Sequence, residues 1–253
     1  MAVGRFRDIF SVRRWISKNL RPMSGAPLNR LHGRVFCLVT KSVGAFSESS
    51  MPSMPSMQNA PAVSFRIRPV TLNDRNAILQ LEGLSFDPDA WEGEEIYSSR
   101  IEQFADGCLL LEESEEVVGF LTTELWSVEH WTEELFEEWP EEVCSHHADG
   151  HSLYISSIAV HPLHRNRGHA SVLLREGLRS ILLKYEQIEQ IVLTVAESWH
   201  PARRLYARHG FEERLHLRDF FGGNALAHHD GILMTVGRSR FLHLCESNTV
   251  LHS

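Results

Sequence analysis

The chain is 253 residues long, 43% hydrophobic and 23% charged, with a net charge of −8, so it holds ample apolar material for a buried core. No run approaches the roughly 18 consecutive apolar residues of a membrane span, and Cys37, Cys108, Cys144 and Cys245 lack C-x-x-C or zinc spacing and read as reduced, intracellular thiols. Residues 1–60 carry nine basic side chains against Asp8 and Glu48, about +7, which leaves the remainder near −15, a body that would repel nucleic-acid phosphates and suits cationic amines.

The first 60 residues form a leader that is rich in Arg and Ser, with apolar residues at Phe6, Ile9, Phe10, Val12, Trp15, Ile16 and Leu20 and a closing Met-Pro-Ser-Met-Pro-Ser-Met run. That is the composition of an organelle transit peptide. A disordered basic tail, or an upstream extension before a start at Met51, Met54 or Met57, fits it equally. The expected location is therefore cytoplasmic, or mitochondrial or plastid if the leader is a targeting signal.

The folded body is predicted over 61–237. Phe65 to Val70 alternates as a strand, and Thr71 or Asn73 caps a helix with Ala77, Ile78, Leu81 and Leu84 at helical spacing. Phe86 to Trp91 breaks it, and Glu94 to Phe104 reads as a second helix. Cys108 to Glu112 and Val117 to Leu125 are two strands about a polar turn, a predicted hairpin. Leu153 to Val160 is a fourth strand, followed by a helix over Ala170 to Leu183 and a strand over Ile191 to Val195. A short helix, Ala202 to Arg208, and strands Phe211 to Leu217 and Gly231 to Val236 complete an α/β fold. Residues 238–253 read as a solvated C-terminal tail.

Residues 126–151 form an acidic insertion with eight carboxylates, no Lys or Arg, and Trp126, Trp131, Phe136 and Trp139 interleaved. It is either a solvated helix that docks its aromatics on the sheet, or a lip of an acceptor site offering carboxylates and cation–π contact to an amine. The 15 histidines form no H-E-x-x-H or comparable pattern, so no metal is predicted.

Ile158-Ala159-Val160-His161-Pro162 leads from a strand into the basic turn Arg165-Asn166-Arg167-Gly168-His169-Ala170-Ser171 and then an apolar-periodic helix. Backbone N–H groups at such a turn, with the positive end of a helix dipole, make a phosphate site. Gly168 and Ala170 are expected to let the backbone approach the ligand closely.

The spacing Arg165-x-x-Gly168-x-Ala170 resembles the acetyl-CoA signature Q/R-x-x-G-x-G/A of the GNAT N-acetyltransferases. Ala202-Arg203-Arg204-Leu205-Tyr206 with Gly210-Phe211 resembles the family's A-x-x-L-Y-x-x-x-G-F helix end, and Phe65 to Asp74 its first strand and helix. The resemblance implies the acyl-CoA N-acyltransferase fold, a mixed, mostly antiparallel sheet flanked by helices. It also implies acetyl-CoA as co-substrate, held by Ile158, Ala159 and Val160 and by Arg165 to Ser171. Tyr206 would be the general acid beside the thioester sulfur. A backbone N–H near Ile158 would polarise the carbonyl, and the amine would attack directly in a ternary complex.

The general base is open. Tyr154 and Ser156 share a strand face by their period of two, and Tyr154 matches a tyrosine of protein N-terminal acetyltransferases that deprotonates the amine through water. The glutamate or histidine that relatives carry on the next strand is here Thr194. Glu197, three residues on, would serve only if the strand end bends it inward, and the Asn common before the tyrosine-bearing helix is Trp199. The ending Arg214 to Gly222 with Asp230 to Met234 resembles protein N-terminal acetyltransferases, with Phe220 and Phe221 for two tyrosines. The middle, Gly119 to Trp126 and Gly150 to His161, resembles arylalkylamine acetyltransferases, whose paired histidines would fall at Tyr154 and Ser156. A peptide amine is thus the expected acceptor, a small amine the alternative, and a non-catalytic acyl-CoA sensor a third reading. No motif bears on oligomeric state.

Overall fold

The computed structural model describes residues 36–37, 65–86, 88–138, 145–221 and 230–249. In chain order the elements are β1 (Phe36–Cys37), β2 (Phe65–Pro69), α1 (Arg75–Ser85), α2 (Gly93–Gln103), β3 (Cys108–Glu113), β4 (Glu116–Trp126), α3 (Glu133–Glu138) and β5 (Ser152–Val160). Then come α4, β6 (Gln190–Ala196), α5 (His200–Arg208), β7 (Glu212–Leu217), β8 (Gly231–Gly237) and α6 (Arg238–Thr249). Helix α4 is a composite: α-helical His169–Val172, π-helical Leu173–Gly177 and α-helical Leu178–Lys184.

The strands lie in the order β2-β3-β4-β5-β6-β8-β7, and every neighbouring pair is antiparallel except β5 with β6. This is the mixed, mostly antiparallel sheet that the resemblance implies. The β3–β4 hairpin turns on Ser114 and Glu115, both at positive φ (51° and 72°), the pair of left-handed residues that matches strand twist in a two-residue turn. At the other end of β2, the Asp74 carboxylate accepts from the Thr71 N–H at 2.8 Å and from Arg68, and that guanidinium holds its pKa well below the usual carboxylate range.

One face of the sheet buries Leu173, Leu174, Leu178 and Ile181 of α4, Ala202 and Leu205 of α5, and Phe241 and Cys245 of α6. The other is covered by Ile78 and Leu81 of α1 and Tyr97 and Ile101 of α2. A third cluster gathers Trp126, Phe136, Tyr154, Phe220 and Phe221 around the far end of that second face. Under α2, Arg100 is buried against Glu92 at 2.5 Å and lies 3.5 Å from Glu124. Removing that guanidinium would strand two carboxylates, at a cost of about 3–5 kcal/mol.

Two expectations are revised. Residues 238–249 are not a solvated tail: Phe241 and Cys245, four residues apart, give α6 an apolar stripe that enters the core, while 250–253 lie outside the described residues. Within the leader, Phe36 and Cys37 join the sheet, pairing in parallel with Ser157 and Ile158 of β5; the rest of 1–60 lies outside the described residues. The acidic insertion docks its aromatics, with Trp126 and Phe136 buried and Trp131 stacked near both, while Glu133, Glu134 and Glu137 stay exposed. Trp139, Glu141, Glu142 and Cys144 lie outside the described residues, as do His228 and His229.

Candidate active site

A bulge in β5 organises the site. Thr122 of β4 pairs with Ser157 and Thr123 with Ile155, so Ser156 is the extra residue on β5. Tyr154 and Ser156 therefore share a face, as their spacing predicts, while Ile158 falls back into the core on the opposite face with Leu153 and Ile155. Beyond Tyr154 the backbone of β5 has no β6 partner: the two strands pair only at Ser152, Leu153 and Tyr154. Ile158, Ala159 and Val160 keep their other edge on β4, opposite Leu121, Phe120 and Gly119. The edge released by β6 is where β1 lies, Phe36 opposite Ser157 and Cys37 opposite Ile158.

After β5, a 3-10 turn over Pro162–His164 runs into the basic loop. Asn166 and Gly168 both have positive φ (63° and 87°), and two left-handed residues flanking Arg167 shape a concavity of N–H groups of the kind that suits an anion. Gly168 is the N-cap of α4, whose first turn closes through the Val172 N–H to the Gly168 carbonyl at 3.0 Å. A Cβ at Gly168 would meet nothing within 4 Å, so the left-handed backbone, rather than crowding within the protein, is what requires glycine there.

The side chains of this turn divide their work. Arg165 Nε donates to the Val160 carbonyl at 3.0 Å, and burial lowers its pKa; its Nη2 is buried with no hydrogen-bond partner. Arg167 is 56% exposed, with its Nη1 3.8 Å from Glu113 Oε2. His169 is buried, Ala170 packs against the core, and Ser171 Oγ meets His209 Nε2 at 2.8 Å. Desolvation, aided by Arg175 and Arg208, brings His209 down to about 4, so it is neutral around pH 7.

Tyr206 lies on α5, fully buried in the core beneath α4, its ring 5.7 Å from Phe211. Its hydroxyl is buried without a hydrogen-bond partner. Folded proteins rarely leave such a group unsatisfied, because its desolvation costs about 1–3 kcal/mol.

On the other face Tyr154 is also fully buried. Its ring stacks on Trp126 with centroids 3.8 Å apart, and its hydroxyl lies 3.1 Å from Thr194 Oγ1. Ser156 Oγ donates to Glu124 Oε2 at 2.7 Å. Sequence reasoning missed Glu124. The signal was available: a single carboxylate in the otherwise apolar and neutral run Val117 to Trp126. Glu197 is not brought to this pair. It lies beyond the end of β6, about half exposed, with its carboxylate 3.5 Å from His216 Nε2. Trp199 packs against all three core clusters, which lie on both sheet faces, and thus bridges them at the N-terminus of α5.

Residues 75–211, more than half of the chain, match the acetyltransferase (GNAT) family. No curated protein matches in sequence. Among solved structures, the loading GNATL domain of CurA from Lyngbya majuscula is similar at 15% identity and a TM-score of 0.59, covering 70% of this chain and 98% of that one. The ribosomal-protein-S18-alanine N-acetyltransferase of Escherichia coli is similar at 21% identity and a TM-score of 0.52, covering 69% and 94%. Arabidopsis thaliana Naa50, in complex with the bisubstrate analogue CoA-Ac-MVNAL, is similar at 18% identity and a TM-score of 0.53, covering 69% and 99%. The fold, the split between β5 and β6 and the family match agree: the chain belongs to the acetyltransferase (GNAT) family.

Proposed function

We propose that this GNAT acetyltransferase moves acetyl from acetyl-CoA to a peptide or protein N-terminal amine by direct attack. The observation that carries the catalytic reading is the Tyr206 hydroxyl, buried and unpartnered at the matched Leu-Tyr position. A polar atom in that state suits a ligand atom that completes its hydrogen bonding. In the proposed step the amine nitrogen bonds to the thioester carbonyl carbon, the C–S bond breaks, and Tyr206 supplies the proton that the thiolate takes up. The phosphates would sit against the N–H groups of residues 166–171, beside the charge of Arg165 and Arg167.

The acceptor reading rests on β5 and its neighbours. Tyr154, Ser156 and Glu124 share one face at the point where the strands part. Phe220 and Phe221, at positions that line the peptide site in N-terminal acetyltransferases by resemblance, pack in the same cluster as Tyr154. A carboxylate and two hydroxyls there would bind an ammonium and relay the proton it must lose. A small amine is the second reading, favoured by the exposed carboxylates of α3 beside the half-buried Trp131.

The test is CoA release from acetyl-CoA by the purified chain against N-terminal peptides, a lysine peptide, tryptamine-like amines and polyamines. Turnover with N-terminal peptides alone supports the proposal. Preference for a small amine moves the acceptor to the acidic insertion. Acetyl-CoA binding with no turnover on any acceptor overturns the catalytic reading in favour of a sensor.

A further inference from the structure

At the turn whose backbone N–H groups are proposed to face phosphate, three side chains from three elements converge closely enough to share a cation. Glu113 is the last residue of β3, His164 ends the 3-10 turn after β5, and His169 opens α4. Glu113 Oε2 is 2.5 Å from His164 Nδ1, and Glu113 Oε1 is 3.6 Å from His169 Nε2. One ligand atom from each lies within 4.8 Å of the others. None is a loose surface group: the side chains are 13%, 16% and 2% exposed.

The second observation is the state of His169. Its Nε2 is buried and has no hydrogen-bond partner, although it is aimed at the Glu113 carboxylate. At 3.6 Å from that carboxylate, the nitrogen gives up its hydration without a hydrogen bond in exchange. A bound cation would satisfy it. We infer that Glu113, His164 and His169 form a binding site for a divalent transition-metal ion of the zinc class, pinning the end of β3 to the turn that precedes α4.

The donor set decides the class. Two imidazoles and one carboxylate, with a water in the fourth position, are a common tetrahedral set for zinc; calcium and magnesium prefer all-oxygen shells. Arg167 Nη1, 3.8 Å from Glu113 Oε2, is a cation that the metal would repel. At 56% exposure that side chain is able to swing into water. Linear spacing hides the site, since Glu113 and His164 are 51 residues apart in sequence.

The experiment is a titration of the chelator-stripped full-length chain with zinc alone, read by calorimetry and by thermal melting. The expected result is one equivalent bound, a raised Tm, and a loss of affinity of at least about 100-fold in both His164→Ala and Glu113→Gln. Far-ultraviolet circular dichroism of the metal-free variants establishes that they fold. X-ray absorption of the zinc-loaded wild type gives a readout that needs no variant: two imidazoles and light-atom scatterers support the site, and sulfur in the shell overturns it. No binding at micromolar zinc, or binding that both folded variants retain, also overturns it and leaves a hydrogen-bonded Glu–His cluster.

Discussion

The hydroxyls of Tyr154 and Thr194 lie 3.1 Å apart, both fully buried, and bridge β5 to β6 where their backbones cease to pair. By the resemblance, Thr194 stands where relatives carry a glutamate or histidine, so the contact bears on the proposed deprotonation of the amine. Tyr154→Phe leaves the Thr194 hydroxyl without this partner and is expected to cost about 1 kcal/mol of stability. If Tyr154 relays the proton, kcat/KM falls by about 100-fold or more. Thr194→Val carries a similar stability cost with less than about a tenfold kinetic loss. Kinetics and urea melts on both variants check this, and a Tyr154→Phe enzyme of unchanged kcat/KM refutes the relay.

Tyr206→Phe separates catalysis from folding. The hydroxyl has no partner in the protein, so its removal is expected to leave the Tm unchanged or slightly raised. The proposed acid role predicts a kcat lowered by about 100-fold or more, with acyl-CoA affinity retained. A drop in Tm of several degrees would instead mark the hydroxyl as structural.

The pH response follows from His209. Its native pKa of about 4 lies below the unfolded value near 6.5. The unfolded chain thus takes up the proton first, and the contribution is complete above about pH 6.5 and declines as pH falls toward 4. Burial against Ser171 and the two arginines sets its size at roughly 3 kcal/mol. Urea midpoints measured between pH 7 and 4.5 are expected to fall in the wild type and to fall less steeply in His209→Gln. Parallel curves would remove His209 from the account.

The leader offers a fourth test. β1 lies on the edge of β5 that β6 releases, next to Ile158, where the thioester carbonyl is proposed to be polarised. A ligand that needs this edge competes with residues 36–37, so its apparent affinity is divided by the fraction of molecules in which the edge is open. Deleting residues 1–60 is expected to tighten acyl-CoA binding by several-fold in calorimetry. Unaltered affinity would mean that the strand and the ligand do not compete.

Much of this architecture is written in local pattern. The turn from Arg165 to Ser171 reads directly, because left-handed residues and a helix start leave a chemical signature within a few positions. The short helix that carries Tyr206 is legible for the same reason. What escaped is non-local. Glu124 meets Ser156 only through the β4–β5 register, and the bulge that fixes that register has no sequence marker of its own. Glu113 reaches His164 and His169 only once β3 is folded against the turn. The apolar stripe of α6 was short, two buried residues on a polar helix, and its burial depends on the sheet beneath it.

The π-helical turn at Leu173–Gly177 gives α4 an extra residue in one revolution. In a straight α-helix each residue advances the side-chain direction by about 100°, so the capping turn and the apolar stripe would be locked in one phase. The inserted residue decouples them. Leu173, Leu174, Gly177, Leu178, Ile181 and Leu182 all face the core, and Gly177 is held so close that a Cβ would come within 3.0 Å of Leu109 Cδ1. The first turn is then free to take the azimuth that the loop before it dictates. Restoring a regular helix by deleting one residue there would force a choice: either the amides of the first turn rotate away by about a quarter turn, or the leucines leave the sheet.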